Sequence, residues 1–262
     1  MLIHRVLSAI VLLPIVLGAA YLGGPYFAAA VGVVALLAGY EFYRMMHSAG
    51  YEPSYMAGLS LIAILMLDAY LPHYGMWRWS VAGVVILLMV WQVLRADAQG
   101  FLVNWALTLA GALYVAVLLG HMITLRNLPQ GLAWLLLTFA ATWTCDTAAY
   151  FAGTWWGKHE FFPHASPTKT REGAIAGFLL GILATVVVGH WMGLLLWQSL
   201  ALGVLLVLGI TFGDLAESLL KRQVGVKDSG ALIPGHGGML DRIDSLLFAG
   251  VIVYYFAVWV AQ

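Results

Sequence analysis

The sequence predicts an all-α fold, a polytopic membrane helix bundle of about nine transmembrane helices. Of its 262 residues, 63% are hydrophobic and 9% are charged, whereas an ordinary soluble domain carries roughly 25% charged residues. The mean hydropathy of +0.92 is spread over the whole chain and not confined to one end. Apolar segments close to the roughly 20 residues that span a bilayer recur throughout. We therefore expect residues 1–262 to form a single integral-membrane domain without a soluble appendage.

Nine apolar segments account for most of the chain, and Gly-rich or polar stretches separate them. Their approximate bounds are 6–23, 25–46, 55–71, 79–94, 101–124, 131–153, 174–191, 194–213 and 245–260. The long polar stretches all lie in the second half. We therefore divide the domain into N-terminal helices over residues 1–130, and helices and loops that carry the chemistry over residues 131–262.

The basic residues divide unevenly between the two sides that nine crossings create. Only Arg78 and Arg126 fall on one side. The other ten share the side of the N-terminus: Arg5, Arg44, Arg95, Lys158, Lys169, Arg171, Lys221, Arg222, Lys227 and Arg242. This bias predicts a cytoplasmic N-terminus, cytoplasmic loops at 154–173 and 214–244, and an external C-terminus.

The segment from Gly213 to Asp244 contains five of the twelve acidic residues. If a helix continues from the eighth apolar segment, Asp214, Glu217 and Lys221 share one of its faces. Several carboxylates at the edge of hydrocarbon require a compensating cation, because an ionised side chain costs about 2.5–3.5 kcal/mol at a helix centre. The sequence offers two forms of compensation, a bound metal ion or internal pairing such as Glu217 with Lys221.

Four carboxylates are candidate metal ligands: Asp146, Asp214, Asp241 and Asp244. Oxygen donors without Cys or clustered His favour Mg²⁺. Asp146 is the one carboxylate that we place well inside a span, the sixth, where an acidic residue is a functional candidate by default. It is alternatively a partner for a lysine such as Lys169, or a structural hydrogen-bond acceptor for neighbouring Thr or Trp groups. The single cysteine, Cys145, lies in apolar surroundings and is predicted to be an inert thiol.

Two loops have the composition of phosphate-binding sites. In the first, Pro234-Gly235-His236-Gly237-Gly238 can direct successive backbone N–H groups at an anion, although such a string is as typical of a tight turn. In the second, polar and basic residues precede a helix N-terminus, which favours an anion. That set comprises Ser166, Thr168, Lys169, Thr170 and Arg171. Lys169 and Arg171 are alternatively basic anchors at the membrane surface, and Gly153 with Gly157 allows close helix packing.

The segment from Ser218 to Asp244 combines these residues in one string. It reads Ser218-x-Leu220-Lys221-Arg222, four residues, Lys227-Asp228-x-Gly230, two residues, and Ile233-Pro234-x-His236-Gly237-Gly238-Met239-x-Asp241-Arg242-Ile243-Asp244. This string resembles the family pattern of the phosphatidate cytidylyltransferases at every specified position. The resemblance extends to Gly213-Asp214, to the loop from Ser166 to Gly173 and to Asp146. The first five segments are similar to the family only in hydropathy, and Arg171 stands where Trp is frequent in the family.

The resemblance implies a nine-span fold with a cytoplasm-facing polar cavity in the cell inner membrane. It implies Mg²⁺-dependent transfer of the cytidylyl group of CTP to phosphatidic acid, giving CDP-diacylglycerol and pyrophosphate in phospholipid biosynthesis. Asp214 and Asp241 match the positions expected at the metal centre, where K⁺ is a candidate second cation. The expected partners are CTP, phosphatidic acid and the bilayer, without nucleic acid; a homodimer is compatible with the sequence.

The residues fall into two expected roles under this interpretation. The catalytic set is Asp214, Asp241, Lys221, Lys227 and Asp228. The substrate-binding set is Ser166, Lys169, Thr170, Arg171, Arg222, His236, Gly237, Gly238 and Arg242. His236 is expected to donate a hydrogen bond to phosphate and not to act as a base, because phosphatidate already carries an ionised oxygen. Two other functions remain as alternatives, a CTP-dependent lipid kinase and a cation-coupled transporter.

Overall fold

The computed structural model describes residues 2–94, 100–232 and 237–260, with side chains from residue 12 onward. Within these ranges the chain forms nine α-helices, one turn of 3₁₀ helix and one two-stranded sheet. The helices are α1 (Leu2–Leu22), α2 (Gly24–Ser48), α3 (Tyr55–Tyr70), α4 (Met76–Leu94), α5 (Phe101–Arg126), α6 (Gly131–Trp156), α7 (Arg171–Trp191), α8 (Leu196–Gln223) and α9 (Leu240–Val260). The strands are β1 (Glu160–Phe162) and β2 (Ser166–Thr170).

Each of the nine predicted segments is a helix, which confirms the all-α class. Helix α8 continues without interruption past residue 213 to Gln223, as the shared face of Asp214, Glu217 and Lys221 required. Helix α9 begins at Leu240, five residues before its predicted start, so that Asp241 lies in its first turn. The one addition is the β1–β2 hairpin, which occupies part of the predicted loop at 154–173.

Six helices of the described chain are long and apolar enough to cross a membrane, namely α2, α4, α5, α7, α8 and α9. The described part of α1 from Leu12 and the whole of α3 are shorter apolar helices. Helix α6 has sufficient length, but Thr, Trp and Asp side chains dilute its hydropathy. A backbone within a bilayer must satisfy its hydrogen bonds internally, which helices do. The chain is therefore a multi-pass membrane protein.

The chain divides into two compact units, which are described separately. Unit 1 comprises Met1–Thr124 and Val224–Arg242. Its core forms around Tyr43 on α2, which is fully buried and donates a hydrogen bond to the carbonyl oxygen of Thr108 on α5 at 2.7 Å. Gly58 on α3 and Gly111 on α5 lie directly against the Tyr43 ring, where a side chain would collide with it. Small residues on α3 and α5 thus let both helices pack closely on α2.

Unit 2 comprises Leu125–Gln223 and Ile243–Gln262. Helix α7 packs on α6 through glycines spaced four residues apart. A Cβ atom at Gly173 would lie 2.6 Å from the carbonyl oxygen of Ala149, and one at Gly177 would lie 2.9 Å from that of Cys145. Close backbone approach through small residues is the usual way in which membrane helices associate. The predicted division at residue 130 stays a prediction, although the segment 224–242 belongs to the unit of the N-terminal helices.

Candidate functional site

Three helices of unit 2 bring carboxylates toward one another. Asp244 on α9 lies within electrostatic range of Asp214 and Glu217 on α8 and of Asp146 on α6. The approach of α8 to α9 depends on Gly213, because a Cβ atom there would lie 2.7 Å from the carbonyl oxygen of Asp244. The sequence proposed Asp146, Asp214, Asp241 and Asp244 as metal ligands. That role stays a prediction for all four.

Lys169 on strand β2 forms an ion pair with Asp214, with 2.6 Å between Nζ and Oδ2. The hairpin places this lysine against the side of α8, and both side chains are only about one-third exposed. The sequence alone offered Asp146 as the acidic partner of Lys169 and named no basic partner for Asp214. The observed partner comes from a strand that the sequence analysis did not predict.

Glu217 and Lys221 also form an ion pair, one helical turn apart on α8. The Glu217 side chain is fully buried and that of Lys221 is 12% exposed. This pair confirms the internal pairing that the sequence left open for Glu217. The position of Lys221, which was predicted to be catalytic, is thus fixed by a buried carboxylate, whereas Arg222 beside it is exposed.

The β1–β2 hairpin is fastened to the N-terminus of α7 by the last residue of β2 and the first two residues of α7. Thr170 is the N-cap, and its Oγ1 accepts a hydrogen bond from the N–H of Gly173 at 3.2 Å. Arg171 donates from Nε to the carbonyl oxygen of Glu160 at 3.2 Å. Glu172 accepts hydrogen bonds from the backbone N–H groups of Lys158 and His159 and lies 2.6 Å from His159 Nδ1. Thr170 and Arg171, both predicted substrate ligands, therefore also have structural partners.

The hairpin also packs against the end of α6. Ser166, the first residue of β2, is buried, and its hydroxyl lies 3.4 Å from that of Thr168. Gly153 and Gly157 at the end of α6 both lie against Thr170, so the predicted close packing at these glycines is confirmed. Lys169 thus extends from a hairpin that is anchored at both of its ends.

In unit 1, Asp241 holds the segment before α9 in place. Its Oδ2 accepts hydrogen bonds from the N–H of Gly238 at 2.8 Å, the N–H of Ser229 at 3.0 Å and the hydroxyl of Ser229 at 2.9 Å. Gly237 has a φ of 82°, in the left-handed region that glycine tolerates. Lys227, Asp228 and Arg242 are exposed.

Pro234, Gly235 and His236 lie outside the described residues, so the predicted phosphate contact of His236 stays a prediction. The described remainder of that glycine-rich string, Gly237 and Gly238, lies beside the carboxylate of Asp241. A metal-binding role for Asp241 likewise stays a prediction.

Sequence reasoning missed Glu41 on α2. This carboxylate is 1% exposed, and its Oε2 accepts hydrogen bonds from the N–H of Leu240 at 2.9 Å and from the Ser229 hydroxyl at 3.2 Å. It lies seven residues before the end of α2, inside the segment 25–46. The description of Asp146 as the one carboxylate well inside a span was therefore wrong. The same signal, an acidic residue within an apolar segment, identifies Glu41.

The carboxylate oxygens of unit 2 are the kind of ligand that a hard divalent cation binds. Among the residues that the structure describes, no three His, Cys, Asp or Glu side chains form a ready-made ligand cluster. Mg²⁺ does not require one, because it binds through one or two carboxylates and takes its remaining ligands from water and phosphate. Asp214 and Asp244 fit that requirement, and the short ion pair of Asp214 with Lys169 shows that a cation is accommodated there.

An apolar groove of about 520 Å³ runs along α6 and α7 in unit 2. Trp143, Phe151, Trp155 and Trp156 line it on the α6 side, and Ala176 and Leu180 line it on α7. Two of these tryptophans lie in the last turn of α6, next to the hairpin. Tryptophan is the side chain that membrane proteins place at the boundary between hydrocarbon and headgroups.

Comparison with known proteins gives a consistent result along the whole chain. Residues 3–260 match the model of the cytidylyltransferase family. A phosphatidate cytidylyltransferase of Pseudomonas aeruginosa is 36% identical over 100% of this chain and 98% of its own length. Proteins of the same name from Synechocystis and Staphylococcus aureus are each 32% identical, covering 97% and 93% of this chain and 96% and 94% of their own lengths. With a match that runs from α1 through α9, the chain belongs to the cytidylyltransferase family.

Proposed function

We propose that this protein is a phosphatidate cytidylyltransferase, which transfers the cytidylyl group of CTP to phosphatidic acid. The observation that carries the proposal is the family match over residues 3–260, together with relatives of that name over nearly their full lengths. In the reaction, an oxygen of the lipid phosphate attacks the α-phosphorus of CTP. A new P–O bond forms, the bond to the β-phosphate breaks, and pyrophosphate leaves with the electron pair.

Lys169 is the residue that we assign to the lipid phosphate. It lies on an anchored hairpin, immediately before the N-terminus of α7, where the positive end of the helix dipole favours an anion. Its ammonium already bonds to a carboxylate oxygen of Asp214, and a phosphate oxygen is chemically similar. Ser166, Thr170 and Arg171 support this role by holding the hairpin, and Arg222 is an exposed cation in the same unit.

The segment 224–242 of unit 1 is assigned to the nucleotide. It exposes Lys227 and Arg242, two cations suited to a triphosphate. The sequence predicts backbone donors at Gly237 and Gly238 and a further donor at His236 in the same string, although the N–H of Gly238 is bonded to Asp241. This assignment rests on the residue types and on the ordering of the segment by Asp241.

We propose that Asp214 and Asp244 of unit 2 bind Mg²⁺, with Asp146 nearby. Asp241 stays a metal ligand predicted from the sequence, and K⁺ stays a predicted second cation. A bound Mg²⁺ would neutralise phosphate charge as the α-phosphorus is attacked. Lys169 keeps Asp214 charge-compensated in its absence. Transfer at phosphorus otherwise depends on positioning two anions in line, which requires cations and backbone donors and no covalent intermediate.

The groove along α6 and α7 suits an acyl chain of phosphatidic acid. Its aromatic and aliphatic lining offers no counter-charge, so a headgroup would not enter it. Trp155 and Trp156 lie at its end in the last turn of α6, which connects to the hairpin that carries Lys169. A lipid with its tail in this groove would thus have its phosphate on the hairpin side.

We also propose that the chain resides in the cell inner membrane with its N-terminus and active-site loops in the cytoplasm. Ten of the twelve basic residues support this orientation. Alkaline phosphatase fused after Gln262 should be active in a bacterial host, because nine crossings put the C-terminus outside. An inactive fusion together with an active fusion after Arg126 would contradict the external C-terminus.

The reaction itself is tested with purified protein, phosphatidic acid and CTP radiolabelled at the α-phosphate. Label should enter the lipid fraction, and unlabelled pyrophosphate should appear in equal amount. The matched control uses CTP labelled at the γ-phosphate, whose label should remain in the aqueous phase. Lipid labelling from γ-labelled CTP would identify a lipid kinase, and no labelling from either nucleotide would overturn the proposal.

A further inference from the structure

A buried carboxylate of unit 1, Glu41 on α2, binds a segment almost 200 residues away in the sequence. Its Oε2 accepts one hydrogen bond from the Ser229 hydroxyl and one from the N–H of Leu240, the first residue of α9. At 1% exposure, such a charge is costly to bury unless its partners compensate it. No ion pair of Glu41 with a basic side chain occurs within the described ranges. Its Oε2 is compensated by a hydroxyl and a helix N-terminus, whereas Oε1 is buried without a hydrogen-bond partner in the described part of the chain.

The bond to Leu240 makes Glu41 a cap supplied by another helix. The first N–H groups of an α-helix have no partner within the helix, and its N-terminus carries partial positive charge. A carboxylate at that position satisfies one N–H and interacts favourably with the helix dipole. Glu41 therefore determines where α9 begins, and Asp241 in the first turn is positioned with it.

Ser229 connects Glu41 to Asp241. Its hydroxyl lies 3.2 Å from Glu41 Oε2 and 2.9 Å from Asp241 Oδ2, while its backbone N–H also donates to Asp241. Two glycines complete the arrangement, because a side chain at Gly230 or Gly238 would collide with the Glu41 carboxylate. The backbone at Gly230 and Gly238 thus packs directly against this one side chain.

We propose that Glu41 is a positioning residue for the nucleotide-binding segment 224–242. It acts through Ser229 and the N-terminus of α9, and it contacts neither substrate itself. This inference rests on the proposed function, in which Lys227, Arg242 and the glycines of this segment bind CTP. It gives an N-terminal helix, outside the segment that carries the family pattern, a defined role in the reaction.

The test compares Glu41→Gln, Glu41→Ala and Glu41→Asp with wild-type enzyme in the α-labelled CTP assay. Gln keeps an acceptor oxygen for Leu240 but loses the charge, and Ala loses both. We expect kcat/KM for CTP to fall about tenfold in Glu41→Gln and further in Glu41→Ala. A loss of this size is typical when a hydrogen bond to a charged group is removed. The KM for phosphatidic acid should stay within about twofold, because the lipid site is assigned to other residues. The control is Glu52→Gln, which removes an exposed carboxylate from the same unit and should leave kinetics unchanged.

Hydrogen exchange gives a second readout that does not depend on turnover. The amides of Gly238 and Leu240 should exchange faster in Glu41→Gln, while amides in the middle of α2 keep their protection. Wild-type kinetics for CTP in Glu41→Gln, with unchanged exchange at Leu240, would overturn the inference. So would an equal loss for both substrates that follows the amount of folded protein. If the wild-type enzyme labels no lipid, the proposed function fails, whereas the exchange experiment still decides whether Glu41 orders the segment.

Discussion

The two units hold their carboxylates in different ways. In unit 1, Asp241 and Glu41 accept hydrogen bonds from backbone N–H groups and one hydroxyl. In unit 2, Asp214 and Glu217 are bonded to the ammonium groups of lysines. A backbone N–H is fixed by the fold, whereas a lysine has a flexible stem and can release its partner. We therefore expect the carboxylates of unit 1 to maintain the shape of the backbone that they bind. The partly exposed pair of Asp214 with Lys169 in unit 2 should instead exchange its cation during the reaction.

The largest expected effect is on Asp214, whose lysine partner can move away. Asp214→Ala should lower turnover by orders of magnitude while the protein stays folded and extractable, because its partner Lys169 is one-quarter exposed and can hydrate. Asp214→Asn should be nearly as damaging, since it keeps the size but loses the charge that a metal ion requires. Turnover is measured across Mg²⁺ concentrations, with Glu52→Ala as the control. Near-normal Mg²⁺-dependent activity in Asp214→Ala would refute the site.

Substitutions of Asp241 should disorder the backbone around it, unlike those of Asp214, if the carboxylates of unit 1 serve to hold that backbone. Asp241→Ala removes the acceptor of three hydrogen bonds at Ser229 and Gly238, so both activity and order of the segment should be lost. Asp241→Asn should fall between Ala and wild type, because its oxygen can accept only part of these bonds. Trypsin should cleave after Lys227 faster in Asp241→Ala than in wild type or in Asp214→Ala. Equal cleavage rates in all three would show that Asp241 does not order the segment.

The buried pair in unit 2 offers a test of stability. Lys221→Met leaves the fully buried Glu217 without its cation, and breaking a buried pair from one side costs about 3–5 kcal/mol. Lys221→Met combined with Glu217→Gln should recover much of that loss. Thermal midpoints in detergent, measured at one heating rate, give the comparison. A double variant no more stable than Lys221→Met would show that the pair is not the source of the loss. If Lys221 is catalytic, the double variant should regain stability without turnover.

The sequence predicted the helices better than it predicted their polar partners. All nine apolar segments could be located because each keeps the length and hydropathy that a span requires. The resemblance to the family likewise selected Asp214 and Asp241, whose role as metal ligands stays a prediction. The pair of Lys169 with Asp214 could not be predicted, since it depends on a hairpin that is held by contacts of Thr170 with Gly153 and Gly157 and of Glu172 with His159.

Glu41 was missed for a different reason. It interrupts an otherwise apolar segment, and the first five segments were compared with the family by hydropathy alone. Its partners lie 188 and 199 positions away. Spacing along a helix detects partners three or four residues apart, as for Glu217 and Lys221, but carries no information about contacts of this separation.

An intermediate effect is expected at Lys169. Lys169→Ala removes the ammonium assigned to the lipid phosphate and leaves Asp214 without its partner. A charge-assisted hydrogen bond contributes roughly 1.5–3 kcal/mol, so kcat/KM for phosphatidic acid should fall about ten- to a hundredfold at saturating CTP. Lys169→Arg should recover only part, because its planar fork cannot take the place of a compact ammonium. A raised KM for CTP alone would reverse the assignment, giving the triphosphate to the hairpin and the lipid to segment 224–242.

The smallest effect is expected at Thr170, and it separates a structural role from the substrate contact predicted from sequence. Its hydroxyl caps α7 through the N–H of Gly173, and losing an N-cap costs about 1 kcal/mol. Thr170→Ala should therefore lower the thermal midpoint slightly and leave turnover within about twofold.

Thr170→Ser supplies the matched control, because serine keeps the capping oxygen and loses only the methyl group that packs beside Gly157. It should restore most of the stability lost in Thr170→Ala, since the cap and not the methyl group orients the first turn of α7. A different outcome would give Thr170 back its predicted role. If Thr170→Ala kept its thermal midpoint but lost tenfold in kcat/KM for phosphatidic acid, and serine recovered that activity, the hydroxyl would be donating to the lipid phosphate beside Lys169.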